Sequence, residues 1–237
     1  MKRGLILVLL VFLAFGCGGN SGSPFTFEEN DSHTLTLTTQ TELIITNTNG
    51  NIIITGSDAT DKITSLITKK VTSEISSSDA QSHISDIDIV IDDNANDVTY
   101  TINHPASESR SYEINFNITV PNNLNFVITM TNGNISLQST TTAVEVNLLN
   151  GDFISDLILN DTSAVSITVG NGNVGLTLPN TTNAALSASV INGTISNAGL
   201  IFTNEQSSST LFTGTLGTGD GSIVLDVGNG HIEMYKK

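Results

Sequence analysis

The fold is decided by a short stretch near the middle of the chain, Ile128-Thr129-Met130-Thr131-Asn132-Gly133-Asn134-Ile135, because its pattern recurs along the sequence. Asn-Gly, or the similar Asp-Gly, occurs seven times, with an apolar residue five positions before and two positions after each glycine. The glycines are Gly50, Gly133, Gly151, Gly172, Gly193, Gly221 and Gly230. Alternation of apolar and polar residues around them predicts a β-strand on each side, and the repetition predicts a repeat architecture.

The chain is expected to bend at each of these dipeptides. The last inward residue before the glycine and the first one after it are five positions apart, whereas a continuous strand keeps its buried face at even spacings. Asparagine and glycine readily adopt positive φ, which a corner or tight turn requires. Hairpin turns use the same dipeptide and are the competing interpretation.

The spacing of the repeat favours stacked rungs over hairpins. Gly133, Gly151, Gly172 and Gly193 are separated by 18, 21 and 21 residues. A unit of about 20 residues is the size of one rung in a β-solenoid, where neighbouring rungs bury a core that none could bury alone. We therefore predict an all-β, β-solenoid fold, similar to a parallel β-helix, with Asn-Gly corners.

Residues 33–237 are expected to form this single domain. The pattern in its N-terminal half predicts longer strands. Two of them form a hairpin, in which apolar and polar residues alternate over 84–91 and 98–102 on either side of an acidic turn at 92–97. Outside the N-terminus no stretch shows a helical period.

The N-terminus has the features of an export signal. Lys2 and Arg3 precede the apolar run 5–15, which is too short to span a bilayer. The only cysteine, Cys17, follows directly and precedes a Gly/Ser-rich segment. This resembles a bacterial lipoprotein signal, which implies a signal peptide at 1–16, a lipidated Cys17 and a flexible tether at 17–32. A secretory signal with an incidental cysteine is the alternative.

The charge balance excludes one class of partner. The chain carries 8 Lys and Arg against 23 Asp and Glu, for a net charge of −15, and loss of Lys2 and Arg3 with the signal makes it more negative. A surface of this sign repels nucleic acid and anionic lipid headgroups. We expect no nucleic-acid partner.

Several short motifs together resemble the bacterial adhesin family DUF4097. They are Asn-Gly-Asn-Ile-Ile-Ile-Thr-Gly at 49–56, Val120-Pro121 before the repeat at Gly133, and the pair Val-Gly-Asn-Gly-Asn-Val and Val-Gly-Asn-Gly-His-Ile at 169–174 and 227–232. The likeness covers about residues 33–237. It implies a β-solenoid displayed at the cell envelope, with a link to envelope-stress systems in some members, and it implies no catalytic residues.

Two motifs match ligand sites only in part. Gly170 to Gly175 has the letters of a dinucleotide fingerprint, but a strand pattern ending at Pro179 follows where a helix is required. Asp92, Asn94 and Asn96 match the start of a calcium loop, although Asp97 and Asn103 replace its glycine and glutamate. We interpret 92–97 as a solvated hairpin tip and leave weak calcium binding open.

Catalytic constellations are weak. Asp152, Asp156 and Asp161 fall in adjacent rung segments, but the positions equivalent to Asp152 in other rungs are Asn134, Asn173 and Thr194, as in a polar outer ladder. The four histidines lie in unrelated contexts without a nucleophile motif. We expect no enzyme, no cofactor and no metal site.

These features predict a lipid-anchored envelope protein that serves as a surface adhesion or binding scaffold for an unknown protein or glycan. Its membrane contact would be the lipid on Cys17, in the outer membrane where one exists, since Gly18 replaces the aspartate of inner-membrane retention. An envelope-stress accessory that binds a membrane sensor or a cationic peptide is the alternative. An enzyme acting on envelope glycan is the third hypothesis.

Overall fold

The computed structural model describes residues 8–10 and 24–237, and it is all-β apart from two short helices. The signal peptide and Cys17 lie outside these residues, except for 8–10. The strands are β1 (Val8–Leu10), β2 (Phe25–Thr36), β3 (Glu42–Asn49), β4 (Ile52–Ser57), β5 (Lys62–Ser73), β6 (Asp88–Asp93), β7 (Asp97–Asn103), β8 (Arg110–Pro121), β9 (Asn125–Asn132), β10 (Ile135–Asn150), β11 (Phe153–Asn171), β12 (Val174–Leu178), β13 (Ala184–Ala198), β14 (Thr203–Ser207), β15 (Leu211–Leu216) and β16 (Gly221–Lys236). The helices are α1 (Ser77–Ser82) and a 3-10 turn (Ile84–Asp86), which the sequence pattern did not predict.

The strands form a β-solenoid-like body in which one continuous sheet folds into two walls, called sheet I and sheet II below. Sheet I contains the strand segments that precede the Asn-Gly corners, and sheet II contains the segments that follow them. β10, β11, β13 and β16 pass from one sheet into the other, so all sixteen strands belong to one curled hydrogen-bonded sheet. Neighbouring rungs are parallel and in register, for example Ile135 opposite Phe153 in sheet II and Val146 opposite Ile167 in sheet I. Their inward side chains form one buried core.

The variation in repeat length arises at the side of the solenoid opposite the corners. Along β10 and β11 the pairing shifts from Thr141 opposite Leu159 to Ala143 opposite Ala164. Residues 160–163 of β11 lie there opposite the single residue 142 of β10, an excess of three, so the corners stay aligned although their spacing changes from 18 to 21.

Six of the seven predicted glycines stack on one another at one edge. Their φ angles lie between +128° and +154°, a range that favours glycine. In each, a Cβ would collide with the backbone of the rung beneath: on Gly151 it would lie 1.8 Å from the carbonyl oxygen of Gly133, and on Gly172 1.8 Å from that of Gly151. The stack therefore requires glycine for both its dihedral angle and its lack of a side chain.

The order of this stack differs from the order of the chain. It runs Gly50, Gly133, Gly151, Gly172, Gly230 and Gly193. The last strand, β16, pairs with β11 and β12 on one side and with β13 on the other, so it is inserted before the rung that precedes it in sequence.

Gly221 is not a corner, which corrects the prediction for that position. It is the first residue of β16, pairs with Ala184 and has no positive φ. A Cβ there would lie 2.8 Å from the carbonyl oxygen of Ser163, so close packing of backbone, rather than a turn, explains the glycine. The corner of this rung is at Gly230.

The asparagine before each corner glycine forms a ladder across the stack. From Asn132 onward, the Nδ2 of each one donates to the Oδ1 of the asparagine in the rung beneath, at 2.7–2.9 Å. The ladder runs Asn49, Asn132, Asn150, Asn171, Asn229 and Asn192. At its first rung the buried Asn47, which replaces the usual apolar residue, donates to the carbonyl of Ile114 at 2.9 Å. The repeat is thus broken at Asn47 because that side chain ties the first corner to β8.

The N-terminal segment differs from the expected tether. Residues 25–32 belong to β2, which pairs antiparallel with β5 along its whole length, from Phe25 opposite Ser73 to Thr36 opposite Lys62. Val8–Leu10 pair with the other edge of β2 at Asn30–Ser32. The hairpin predicted around the acidic turn is present, formed by β6 and β7.

We expect Gly151→Ala to destabilise the protein by about 3 kcal/mol, because alanine there combines a strained φ with a backbone collision. Gly175→Ala is the matched control, since its new Cβ would meet nothing closer than 3.8 Å and its φ is not positive. We expect the control to change stability by less than about 0.5 kcal/mol. Urea unfolding followed by circular dichroism measures both, and equal effects would contradict the stacking argument.

Candidate binding faces

The outward side of sheet II carries a weakly charged surface, which ends at the exposed Glu233 of β16. We define the open face as the outward residues of five adjacent parallel strands: Asn117 and Thr119 of β8, Ile53 and Thr55 of β4, Ser136 and Gln138 of β10, Ile154 and Asp156 of β11, and Gly175 and Thr177 of β12. Asp156 is its single charged residue, and Lys237 neutralises it at 2.9 Å. At a strand spacing of about 4.8 Å the face is roughly 19 Å wide.

Two isoleucines stand out on the open face. Ile53 is 46% exposed and Ile154 is 60% exposed, and they are separated by Ser136 of the strand between them. Hydroxyl and amide groups surround them. Aliphatic and hydrogen-bonding groups at regular spacing on a rigid sheet can contact the apolar and polar faces of a ligand together.

Sequence reasoning missed these two residues, although a signal was present. In an alternating strand an apolar residue at an outward position breaks the pattern, as Ile53 does between the buried Ile52 and Ile54. That break indicates an exposed aliphatic side chain only once the inward residues are known.

A second polar row lines the boundary between the open face and the corners. In it the backbone N–H of one rung donates to the side-chain oxygen of the rung before: Asp152 to Asn134 at 2.9 Å, Asn173 to Asp152 at 2.8 Å, and His231 to Asn173 at 3.0 Å. The predicted outer ladder is therefore present, with His231 between Asn173 and Thr194 because β16 is inserted there.

Sheet I carries a shallow depression of different character. Its volume is about 260 Å³, and its lining includes the small side chains of Ala143, Ala164 and Ser222. Glu42 and Glu145 also line it. Small residues leave room above the sheet, and the two carboxylates make this area acidic.

The three aspartates weighed as catalytic groups do not converge. Asp152 accepts the hydrogen bond from Asn173, Asp156 pairs with Lys237, and Asp161 accepts from the Nδ2 of Asn183 at 2.8 Å. The glycine-rich segment 170–175 forms the end of β11, a corner and the start of β12, with no helix at its end to receive a pyrophosphate.

The acidic hairpin tip is held by amide side chains. Nε2 of Gln40 donates to Asp93 at 2.5 Å, and Nδ2 of Asn94 donates to Asp97 at 2.8 Å. Within residues 24–237 the structure contains no group of three or more His, Cys, Asp or Glu side chains placed to hold a metal ion.

A charged cluster closes the solenoid at its N-terminal end. Asp79 of α1 accepts two hydrogen bonds at 2.7 Å from the Arg110 guanidinium and one at 2.6 Å from Ser73. Hydrogen bonds from Arg110, then from Ser73, hold the pKa of Asp79 well below its usual range. The bidentate pair fastens α1 to β8.

A half-buried histidine lies on β2, opposite Ser65 of β5. Both ring nitrogens of His33 are buried and have no hydrogen-bond partner in the described part of the chain, while the neighbouring Asp31 pairs with Lys69 at 2.6 Å. Burial lowers the pKa of His33 from its ordinary 6.5, Asp31 opposes that shift, and Lys69 adds to it.

The comparisons with known proteins agree with this architecture. The family model described as Toastrack DUF4097 matches residues 11–234. The chain belongs to the Toastrack DUF4097 family. The resemblance noted in the Asn-Gly motifs is thereby confirmed.

Several solved structures are similar to this Toastrack chain at low sequence identity. A candidate cell adhesion protein from Clostridium sporogenes shares 13% identity with a TM-score of 0.58, covering 89% of this chain and 100% of its own. A candidate adhesin from Bacteroides fragilis shares 9% identity with a TM-score of 0.28, covering 86% of this chain and 96% of its own. A candidate lipid-binding protein from Parabacteroides distasonis shares 11% identity with a TM-score of 0.31, covering 91% and 97%.

A search of curated proteins gave no match to the chain. In the part of the Toastrack chain that the structure describes, no helix has the length and apolar character needed to cross a bilayer.

We expect His33 to make the protein less stable in acid. The folded state holds His33 neutral below 6.5, whereas the unfolded state binds a proton there, so stability falls as the pH drops through 6.5 toward the lowered folded pKa. Replacement by leucine should flatten the stability profile between about pH 7 and pH 5. Chemical unfolding at several pH values measures it, with the exposed His231→Asn as the control; an unchanged slope in His33→Leu would refute the assignment.

Proposed function

We propose that this protein is a non-enzymatic, lipid-anchored component of the bacterial cell envelope that acts in surface adhesion as a binding scaffold. The observation that carries the proposal is the open face: a weakly charged array of hydroxyl, amide and aliphatic groups on a rigid stack of rungs. Such a surface suits a neutral glycan or a protein ligand better than a highly charged one.

Membership of the Toastrack family and the fold shared with the Clostridium sporogenes protein support this proposal. That protein is named for cell adhesion, and the likeness to it extends to the fold alone. The finer picture of a parallel β-helix whose rungs of about 20 residues present successive strips of one binding surface is part of the same proposal.

The chemistry of the carboxylates favours binding over catalysis. A glycan-cleaving enzyme needs two carboxyl groups facing each other across the scissile bond. Asp152, Asp156 and Asp161 are instead engaged in separate contacts within the scaffold. The third hypothesis, an enzyme acting on envelope glycan, therefore has the weakest support.

Anchoring is proposed from the N-terminal sequence. The basic residues Lys2 and Arg3, the apolar run and Cys17 match the order of a lipoprotein signal. Residue 24, where the described chain resumes, is close to β2 at one end of the solenoid. Lipid on Cys17 would hold that end near the membrane and present the open face beside it.

The alternative function is an envelope-stress accessory that binds a membrane sensor or a cationic peptide. The excess of acidic residues and the depression containing Glu42 and Glu145 favour this candidate. Its binding would weaken steeply as salt rises, because surface charges are screened.

We expect Ile154→Asp to weaken ligand binding by about tenfold or more, because it places an unpaired charge at the centre of the open face. Ile201→Asp is the matched control, since Ile201 is an exposed aliphatic residue that belongs to neither the open face nor the lining of the depression. Soluble protein lacking residues 1–17 would be applied to an array of neutral and charged glycans and to intact bacterial cells. Equal binding by both variants would reject the open face, and salt-sensitive binding lost in Glu145→Gln would favour the alternative.

We expect Cys17→Ser to release the protein from the membrane fraction, because the thiol is the only group that the lipid can occupy. Cell fractionation with mass spectrometry of the N-terminus measures this. Globomycin, which blocks lipoprotein signal cleavage, should cause the precursor to accumulate in the wild type and not in the variant. An exported wild-type chain with an unmodified Cys17 would contradict the anchor.

A further inference from the structure

Asn-Gly is the dipeptide in which an asparagine side chain deamidates most readily. The backbone nitrogen of the glycine can attack the Cγ of the asparagine side chain, since no side chain on the glycine hinders the approach. Six such dipeptides lie in the corner stack: 49–50, 132–133, 150–151, 171–172, 192–193 and 229–230. The fold must therefore hold both reacting groups in place.

Inner corners restrain the attacking nitrogen. The N–H of each corner glycine donates to the carbonyl of the asparagine in the next rung: Gly133 to Asn150 at 3.0 Å, Gly151 to Asn171 at 2.9 Å and Gly172 to Asn229 at 2.9 Å. The ladder holds the side-chain amides at the same time, since an inner asparagine donates from Nδ2 and accepts at Oδ1. Both the attacking N–H and the side-chain amide are thus held by hydrogen bonds that must break before they can react.

The corner at Asn192-Gly193 is the last of the stack. On its inner side Asn192 pairs with Asn229 and Gly193 with Gly230. On its outer side β13 pairs with β15 only over Ala184–Ser189, so in the described chain no strand follows beyond the corner. Asn192 is exposed, as Asn171 and Asn229 are, but among the described residues no further rung supplies a donor to its Oδ1.

The neighbouring loop does not replace that missing rung. It accepts hydrogen bonds from Val190 at Thr210 (3.0 Å) and from Ile195 at Ser209 (3.1 Å), one on each side of the corner. Ile191, between these contacts, is 78% exposed. The corner lies between these two hydrogen bonds and is exposed to solvent. Solvent base can therefore reach the nitrogen of Gly193.

We propose that Asn192 is a site of spontaneous modification, deamidating through a cyclic imide while the inner Asn-Gly pairs are protected by the stack. The Gly193 nitrogen loses its proton to solvent base and bonds to Cγ of Asn192, the Cγ–Nδ2 bond breaks, and ammonia leaves. Water then opens one of the two imide C–N bonds. Position 192 becomes either an aspartyl residue or an isoaspartyl residue.

The product changes the end of the solenoid. A carboxylate has no Nδ2 to donate to Asn229, and its charge faces the Oδ1 that previously accepted that bond. An isoaspartyl linkage also adds an atom to the backbone at a corner where a Cβ on Gly193 would lie 1.6 Å from the carbonyl oxygen of Gly230. The second half of β13 loses its register, while the inner rungs are unaffected.

The test is site-resolved mass spectrometry of the mature protein incubated at mildly alkaline pH. Deamidation replaces an amide by a carboxyl group, and fragmentation assigns the mass increase to one dipeptide. We expect Asn192 to react about tenfold or more faster than Asn150 and Asn171, which corresponds to about 1.4 kcal/mol less protection. In urea the six dipeptides should react at similar rates, because the stack is absent.

The variant Asn192→Gln provides a second test, because a glutamine side chain forms the corresponding imide far more slowly than asparagine. The total ammonia released by the folded variant should fall to the level set by the inner pairs. Equal rates at Asn192 and the inner sites in the folded wild type, a faster inner site, or an unreactive Asn192 that reacts only in urea would each overturn the proposal. Because the wild-type comparison is internal, the result does not depend on how well the variant folds.

Discussion

The close contact between backbones at the corner is the constraint on which the rest of the structure depends. From Gly133 onward each corner glycine lies against the carbonyl oxygen of the glycine one rung below, and Gly50 lies against that of Ile114, at distances that leave no space for a Cβ. This contact sets the position of every rung relative to its neighbour, and the asparagine ladder then follows, because the preceding side chains are brought within 2.7–2.9 Å of one another. Parallel register, the continuous core and the regular outer rows are consequences of the same contact. The sharp turn needs positive φ, so two independent requirements select the same residue.

The two ends of the stack are closed in different ways. At the first rung Asn47 bonds to the carbonyl of Ile114, and the Asp79–Arg110 pair fastens a short helix over β2 and β5. At the last rung β15 and then β14 extend sheet I by antiparallel pairing, but in the described chain no further rung follows the corner at Asn192. A repeat protein protects its inner units by stacking and depends on special residues at its ends. The Asp79–Arg110 pair and His33 accordingly belong to strands or helices at the first end, while the middle rungs repeat one pattern of outward side chains.

Much of the fold was predictable because the residues that form a corner are local in sequence. The odd spacing across Asn-Gly correctly predicted the bends at the six corner glycines, and alternation predicted the β6–β7 hairpin. The prediction of a corner at Gly221 was wrong, although Asp-Gly matches the pattern. This glycine is needed for close packing against the backbone of Ser163 and Asn183. The prediction of a flexible tether did not hold for residues 25–32. Their side chains are mostly polar, and the partner of their strand, β5, lies about 40 positions away in sequence. Ile53 and Ile154 could be recognised as exposed only after the core was known.

The sequence by itself determined the unit of construction, which is a strand, an Asn-Gly corner and a second strand, with the inward residues of both strands on the same core. These properties depend on neighbouring residues and on stereochemistry at one glycine. Only the tertiary structure decided how the units are ordered. The rungs carry nearly the same pattern, so nothing local distinguishes β13 from β16 as the neighbour of β11, and hydrogen bonding between distant strands placed β16 inside and β13 at the end. That choice determines which corner is unprotected and which side chains share a face, because both depend on pairing across the stack and not on position along the chain.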